Sequence, residues 1–306
     1  MSTYSSRLIT PPSEEEEIYP YRRVWPSIAL ETGILFVVTM LLFVVVRLID
    51  LPRQLFLPIN MILALLPFVL WIVLSWWRER FALQPRSHLM AVAVVSALAA
   101  NAIGIPLIND VFQISRWLPL ESAINRIIGY TFTTGLVQTL ILYLIIRYMV
   151  WSNEFRIRLD AVAYGTATAV GYATVINLHA VFARPSEPSF TAMNVFSQFA
   201  ILSSIGIIIS FGLSEMRFNS QPFPLLMVAT VALASFISGI SIPLVSGFAN
   251  ATISPLSPIS GVSPLQGFLY SAGLLSVVTF AFWLLFNRTE RQMQETPAET
   301  AESIGL

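Results

Sequence analysis

Apolar residues in this sequence are grouped in long continuous blocks, each bounded by polar or charged residues. A helix of about twenty apolar residues spans the hydrocarbon core of a bilayer, because each residue adds 1.5 Å to its length. The chain is 56% hydrophobic and only 11% charged, whereas about a quarter of the residues in a soluble domain are charged. Within each block the apolar residues are continuous. The strands of a transmembrane barrel would instead alternate apolar and polar residues over about ten positions, so the pattern argues against a barrel. The sequence therefore predicts an all-α integral membrane protein.

Hydropathy predicts a bundle of about eight transmembrane helices. The predicted spans are 27–46, 55–77, 88–108, 127–151, 160–183, 192–214, 223–244 and 265–286. Residues 1–26 are polar and acidic and are predicted to form a disordered tail. Residues 287–306 are predicted to form a second polar tail without fixed structure. The sequence thus predicts one polytopic domain, residues 27–286, between two tails.

Two connections between the predicted spans differ from simple turns. Residues 109–126 mix apolar and charged side chains, a pattern typical of an amphipathic segment lying in the membrane interface. Residues 245–264 are rich in Ser, Gly and Pro and carry no charge. A loop of this length in a compact domain commonly has a role of its own, and we expect it to cover the ends of the helices as a lid.

The distribution of arginine predicts the orientation in the membrane. Cytoplasmic connections carry an excess of basic residues. With eight spans and a cytoplasmic N-terminus, twelve of the seventeen basic residues fall on the cytoplasmic side. This bias predicts that both termini are cytoplasmic.

Composition excludes several kinds of reaction centre. Every basic residue other than histidine is an arginine, so a lysine base or Schiff base is excluded. The chain has no cysteine, which excludes thiolate nucleophiles and cysteine metal sites. His88 and His179 are predicted at opposite ends of their spans, separated by a hydrocarbon core of about 30 Å, so they cannot share a metal. No basic aromatic patch suggests nucleic acid.

The hairpin of the fourth and fifth spans is the part of the chain with the clearest packing pattern. Small residues recur at every fourth position of the fifth span, at Ala161, Gly165, Ala169 and Ala173. Such a row forms one ridge of a helix and allows a second helix backbone to approach closely in lipid. The ridge leads to Asn177, an amide in an otherwise apolar stretch.

The same hairpin contains several short motifs in a fixed order. They are Asn153-Glu154-Phe155, Leu159-Asp160, Ala163-Tyr164-Gly165, Gly171-Tyr172-Ala173-Thr174 and Asn177. An acidic-Phe turn, an aspartate at a helix start, a Gly-rich helix and a following asparagine resemble the pattern of the PrsW family of intramembrane proteases. We take residues 127–218 as the PrsW-like core. The resemblance implies a multi-pass protein of the bacterial inner (plasma) membrane.

The resemblance also implies where catalytic groups would lie. The family is thought to use a Glu-Glu pair, a Lys one turn later, a Glu before the Asn and a His in the next helix. The corresponding positions here are Val137, Gln138, Ile141, Ile176 and Gln198. Amides neither take up a proton at physiological pH nor bind zinc well, and apolar side chains do neither. We therefore predict no catalytic residue, no metal and no cofactor at these positions.

Amides and one acid remain as candidate binding groups. One hypothesis is that Gln138, Asn177 and Gln198 meet where the family holds its metal and satisfy one another by hydrogen bonding. The alternative is ordinary hydrogen bonding between neighbouring helices. Asn194 and Asp160 complete this candidate polar cluster.

Glu31 is the other acid predicted within a span. A carboxylate in the membrane tends to be functional, although a residue four positions into a span can also reach back to the interface.

Three functions are compatible with the sequence. The first is a PrsW-like protein without catalytic residues that binds a transmembrane segment of a partner or serves as a subunit of a membrane complex. The second is an active intramembrane protease that uses residues not identified here. The third is a small transporter for an uncharged solute, since Gly and Pro interrupt two spans and broken helices line transport sites. We favour the first function.

Overall fold

A computed structural model describes residues 24–48, 51–80, 85–118, 121–151, 154–183, 186–219, 223–246 and 264–303. Within these ranges the chain is helical and contains no strand. Eight helices are long and apolar enough to cross a membrane. The predicted all-α membrane fold and the predicted eight spans are confirmed.

The eight helices, numbered in chain order, have the following bounds. They are α1 (Val24–Leu48), α2 (Phe56–Trp71), α3 (Leu89–Ala99), α4 (Ala123–Tyr130, resuming at Leu136–Met149), α5 (Arg158–Ala183), α6 (Pro188–Phe218), α7 (Leu226–Val245) and α8 (Pro264–Ser303). The turn Ile72–Trp76 and the segment Trp77–Arg80 continue α2, and the turns Ala100–Gly104 and Leu107–Val111 continue α3.

Three of the spans contain π-helical turns. One extends α2, two extend α3, and the turn Thr131–Gly135 joins the two parts of α4. A π turn inserts an extra residue into the helix and often marks a functional site or a close packing contact. In α4 the turn brings the backbone of Gly135 against the carbonyl of Ser235 in α7, where a Cβ would not fit. The π turn therefore allows α4 and α7 to pack backbone to backbone.

Helix α6 lies at the centre of the bundle. It packs against α1, α2, α4, α5, α7 and α8. Its side chains are buried on all faces through most of its length, from Thr191 to Glu215. A helix that is apolar all round is expected in such a position.

The small-residue ridge of α5 packs against α6 as the sequence predicts. A Cβ placed on Gly165 would lie 2.6 Å from the carbonyl oxygen of Gly206, and one on Gly206 would lie 2.6 Å from that of Gly165. The side chain of Ala169 lies beside the same contact. Both glycines are required because the two helix backbones touch directly at this point.

Helix α5 makes a second close contact, with α3. A Cβ on Gly171 would collide with the backbone of Ala93, and the Ser96 hydroxyl donates to the carbonyl of Thr168 at 2.7 Å. The third span is thus part of the core around α5, although the predicted PrsW-like core began only at residue 127. The sequence gives no local signal for this pairing, because Ala93 and Gly171 are far apart in the chain.

The tails and connections differ in part from the predictions. The polar residues after 286 continue α8 as a helix to Ser303 instead of forming a tail without fixed structure. Residues 109–126 contain helical turns at Leu107–Val111 and Ile114–Trp117 and the start of α4 at Ala123. Residues 1–23 and 247–263, which hold most of the predicted N-terminal tail and of the predicted lid, lie outside the described residues. The cytoplasmic placement of the termini stays a prediction.

Candidate functional site

Asp160 is the centre of a buried network at one end of the bundle. Its side chain is 2% exposed. One carboxylate oxygen accepts from Arg86 Nε at 2.8 Å, and the other accepts from the backbone N–H groups of Arg156 and Ile157 at 2.8 and 2.9 Å. A carboxylate in the first turn that accepts hydrogen bonds from the preceding N–H groups caps the helix. Its negative charge also interacts favourably with the positive end of the helix dipole. Asp160 therefore caps the N-terminus of α5 and also binds the guanidinium group of Arg86.

Arg86 links this network to the end of α2. Its Nη1 lies 3.1 Å from Glu79 Oε2, and its backbone N–H donates to Glu79 Oε1 at 2.8 Å. The side chains of Arg86 and Glu79 are only 6% and 9% exposed. Buried charges are tolerated when each is paired and hydrogen-bonded, and here one guanidinium pairs with carboxylates from two different helices.

Glu154 extends the network on its exposed side. It accepts from the Ser87 hydroxyl and lies 3.4 Å from His88 Nδ1. The Tyr164 hydroxyl donates to the Ser87 carbonyl at 2.7 Å, and its ring stacks on Phe155. The motif residues Glu154, Phe155, Asp160 and Tyr164 thus hold the start of α5 against the segment that precedes α3.

A separate ion pair closes the same end of the bundle. Arg158, at the start of α5, pairs with Glu215 near the end of α6, and both side chains are buried. Beside it, Arg147 lies over the Trp151 ring with its guanidinium carbon 3.5 Å from the ring centroid, and Trp151 Nε1 donates to the Leu213 carbonyl. We call this end of the molecule, which holds Glu79, Arg86, Glu154, Asp160, Arg158 and Glu215, the charged end.

The ion pairs of the charged end were missed by sequence reasoning. The sequence singles out Asp160, Glu154 and His88, but it identifies no ion-pair partner for any of them. The available signal was the position of the charged residues, since Glu79, Arg86 and Arg158 all fall just beyond predicted spans. That position is also expected of solvent-exposed residues, so sequence alone could not indicate that these side chains are buried and paired.

Gln138 is buried and takes its hydrogen bond from α7. Its side chain is 6% exposed, and its Oε1 accepts from Ser238 Oγ at 3.2 Å. This partner is neither Asn177 nor Gln198. The amide of Gln138, which the resemblance places at one of the family's acid positions, therefore joins α4 to α7.

Asn177 is buried without a partner. Its side chain is 1% exposed, and neither amide atom has a hydrogen bond within the described structure. Gln198 and Asn194 lie half-buried on α6 and likewise make no hydrogen bond to another described residue. The mutual hydrogen bonding expected for Gln138, Asn177 and Gln198 is not formed, because Gln138 bonds to Ser238 of α7 and Asn177 is buried without a hydrogen bond.

The remaining family positions are used for apolar packing. Ile141 belongs to the buried core, and Val137 and Ile176 pack against it from half-buried positions. An aliphatic side chain in such a place stabilises by van der Waals contact and has no atom that transfers a proton. These three side chains contribute to the packing of the bundle.

A lateral groove runs along the seam between α4 and α7. It has a volume of about 660 Å³ and is almost wholly apolar, with Phe132 and Leu140 on one wall and Val228 and Phe236 on the other. Ser235 lines it, is 3% exposed, and its hydroxyl has no hydrogen-bond partner in the described chain. The groove is lined by neighbours of the Gln138–Ser238 contact along the chain, Leu136 and Leu140 on α4 and Ser235 on α7.

The two histidines lie at opposite ends of the molecule. His88 precedes α3, with a left-handed backbone (φ 64°), and pairs with Glu154 at the charged end. His179 lies near the end of α5, and its Nε2 is 3.4 Å from Nδ2 of Asn109, in the turn Leu107–Val111 that continues α3. About twenty residues of helix, roughly 30 Å, separate His88 from Asn109. The prediction that the two imidazoles cannot share a metal agrees with this placement.

Comparison with protein families gives one match. Residues 84–208 match the family of PrsW intramembrane metalloproteases. No curated protein and no solved structure matches the chain.

The name of that family implies a metal ion. Among the described residues, no group of three or more His, Asp or Glu side chains is arranged to hold one. The positions at which the resemblance predicts the family's ligands hold Val137, Gln138, Ile141, Ile176 and Gln198, and zinc prefers imidazole, thiolate and carboxylate ligands. The donor atoms present therefore do not fit a metal centre at this place.

The matched segment begins before α3 and ends within α6. It contains the Asp160–Arg86 pair, the Gly171–Ala93 contact and the Gly165–Gly206 crossing. It starts earlier than the core predicted from sequence, in agreement with the packing of α3 on α5. The chain is a multi-pass membrane protein whose residues 84–208 match the PrsW family.

Proposed function

We propose that this protein is a PrsW-family member without peptidase activity that binds a transmembrane segment of a partner protein. The observation that carries the proposal is the hydrogen bond from Ser238 to Gln138. The resemblance places one of the family's acids at the position of Gln138. The hydrogen bond supports a different role for this position, which is to join α4 to α7.

The chemistry of peptide cleavage supports the first half of the proposal. Hydrolysis in the membrane requires a water made nucleophilic by a metal or by a base. In the described parts of α4 and α6, the positions that would supply these groups hold Val137, Gln138, Ile141 and Gln198. None of these side chains accepts a proton near neutral pH. The protein then keeps the helical scaffold of the family without its reaction.

The groove between α4 and α7 supports the second half. Along α4 it extends from Ile127 to Tyr143, sixteen residues or about 24 Å of helix. This length approaches the thickness of the hydrocarbon core, about 30 Å, whereas a single acyl chain occupies one leaflet. A transmembrane helix fits such a groove, whose lining is almost wholly apolar.

A photo-crosslinking experiment in native membranes tests the binding role. A photoreactive residue at Phe132 or Val228, in the groove, is expected to join the protein to a transmembrane peptide that mass spectrometry identifies. The control position is Leu98 in α3, which is 62% exposed and lies outside the groove. Filling the groove with Ala232→Trp should abolish the Phe132 adduct. Adducts that are equal at Phe132 and Leu98, or that persist with Ala232→Trp, would contradict the proposal.

The proposal includes the location of the protein. It places the protein in a bacterial inner (plasma) membrane with both termini in the cytoplasm, so that the charged end faces the cytoplasm. The arginine distribution supports this orientation.

A further inference from the structure

Arg147 and Arg217 lie beside the same tryptophan ring at the charged end. Their guanidinium carbons are 3.5 and 5.8 Å from the centroid of the Trp151 ring, so the two cations are within about 9 Å of each other. The indole is held in place by the hydrogen bond that its Nε1 donates to the Leu213 carbonyl at 2.9 Å. The end of α4 and the end of α6 therefore bring two positive charges to one place.

Neither of these guanidinium groups is paired with a carboxylate of the described chain. Among the residues whose side chains are described, Arg147 and Arg217 form no ion pair and no side-chain hydrogen bond. Two like charges at this distance repel each other unless an anion lies close to both. The described acids of the charged end are all held in other pairs, which are Glu79 and Asp160 with Arg86, Glu154 with His88, and Glu215 with Arg158.

The two arginines are accessible from outside the bundle. Arg217 is exposed and Arg147 is half-buried. A guanidinium that lies over an aromatic ring uses its face for that contact, while its N–H groups point outward in its own plane. These N–H groups match the oxygen atoms of a phosphate, which a guanidinium binds through two parallel hydrogen bonds. The pair thus has the chemistry of a phosphate site.

The surroundings of the pair are those of a lipid headgroup region. Trp151 lies at the end of its span, where tryptophan is enriched at membrane interfaces. Tyr148, the neighbour of Arg147 in the chain, is 80% exposed, and Phe223 and Leu225, in the connection between α6 and α7, are 64% and 59% exposed. Apolar side chains exposed at this level contact acyl chains. An anion that reaches the arginines from the bilayer is therefore the headgroup of a lipid.

We propose that Arg147 and Arg217 bind the phosphate group of an anionic phospholipid in the leaflet at the charged end. The acyl chains of this lipid lie against the exposed apolar side chains beside the pair. A basic residue near the membrane surface contributes about a fivefold preference for anionic lipid. A zwitterionic lipid carries its own cation, which opposes binding to a pair of arginines, so the site prefers phosphatidylglycerol to phosphatidylcholine.

Lipid binding by the purified chain tests the proposal. In mild detergent, native mass spectrometry should show tighter binding of phosphatidylglycerol than of phosphatidylcholine with the same acyl chains. Arg217→Gln should weaken phosphatidylglycerol binding by about fivefold, and Arg147→Gln with Arg217→Gln by about 25-fold. The matched control is Arg80→Gln with Arg288→Gln, which removes two other exposed arginines of the same end. It should change binding by less than about twofold, because salt screens charges that lie far from the site.

Three results would overturn the proposal. The first is equal affinity of the wild-type chain for the two lipids, and the second is an equal loss of affinity in the two double variants. The third is phosphatidylglycerol binding that develops only after Glu14–Glu17 are replaced by Gln, since the chain's own acidic run would then be the occupant of the site.

Fluorescence quenching in bilayers is an independent measurement, which the absence of cysteine from the chain allows. A fluorophore on Tyr148→Cys should be quenched more by brominated phosphatidylglycerol than by brominated phosphatidylcholine. A fluorophore on Leu98→Cys, at a position of α3 that is 62% exposed, should be quenched equally by both. Arg147→Gln with Arg217→Gln should remove the preference at position 148, and equal quenching there in the chain with both arginines would overturn the proposal. Neither arginine lines the α4–α7 groove, so these results do not depend on the function proposed above.

Discussion

Asp160 accepts a hydrogen bond from Arg86 Nε at 2.8 Å, and this bond joins the first turn of α5 to the segment before α3. The same carboxylate caps the start of α5 through two backbone N–H groups. A motif residue of the PrsW-like hairpin thus has a structural role that needs no substrate.

Asp160→Ala is expected to destabilise the protein strongly. The substitution leaves Arg86 with one carboxylate instead of two and uncaps α5. Breaking a buried pair costs about 3–5 kcal/mol, or roughly 6–15 °C in melting temperature for a chain of this size. Thermal unfolding in mild detergent measures the effect. The control His88→Ala, at a side chain that is 60% exposed, should change little; equal melting temperatures for the two variants would refute the structural role.

Gly165→Ala is expected to disrupt the contact between α5 and α6. The added Cβ would lie 2.6 Å from the Gly206 carbonyl oxygen, so the helices must separate. Overpacking of this kind costs about 1–3 kcal/mol or more. Gly273→Ala is the matched control, since a Cβ there meets nothing within 4 Å. The yield of folded protein and the melting temperature should fall for the first variant only.

Gln138 and Ser238 are expected to be energetically coupled. In a double-mutant cycle with Gln138→Leu and Ser238→Ala, the coupling free energy should be about 0.6 kcal/mol, the usual value for a side-chain hydrogen bond between membrane helices. Reversible unfolding in mixed micelles supplies the four free energies. A coupling that is indistinguishable from zero would mean that the 3.2 Å contact does not join α4 to α7.

Glu31→Leu is expected to raise the melting temperature. Glu31 is 3% exposed, and its Oε1 has no hydrogen-bond partner among the described residues, so the carboxyl group is buried at a cost. The paired acid Glu79 gives the contrast, because Glu79→Leu removes a partner of Arg86 and should lower the melting temperature. A large loss of stability in Glu31→Leu would show that this carboxyl group has a partner after all.

Purified protein is expected neither to retain zinc nor to cleave a model transmembrane peptide. The residues at the family's catalytic positions supply amide and hydrocarbon groups, which bind zinc poorly. Metal analysis after detergent purification and a cleavage assay with added zinc test this expectation together. One zinc per chain, with cleavage that Gln138→Leu abolishes, would establish the active-protease alternative.

The spans and the ridge of α5 were predictable because both depend on local sequence. A block of apolar residues crosses a bilayer wherever it occurs, and a four-residue spacing of small side chains marks one helix face without reference to a partner. The pairing of α4 with α7 was not predictable. The amide of Gln138 was expected to meet helices adjacent in sequence, and it meets Ser238, one hundred positions away.

Sequence alone determined that the chain is a helical membrane protein of eight spans and that its hairpin resembles PrsW proteases. Tertiary structure alone decided which charged groups are paired, where Gln138 finds its partner, and which helix faces are left with open grooves. The physical reason is that hydropathy and helical periodicity are properties of neighbouring residues, whereas a buried hydrogen bond or ion pair depends on which distant helix the fold brings alongside.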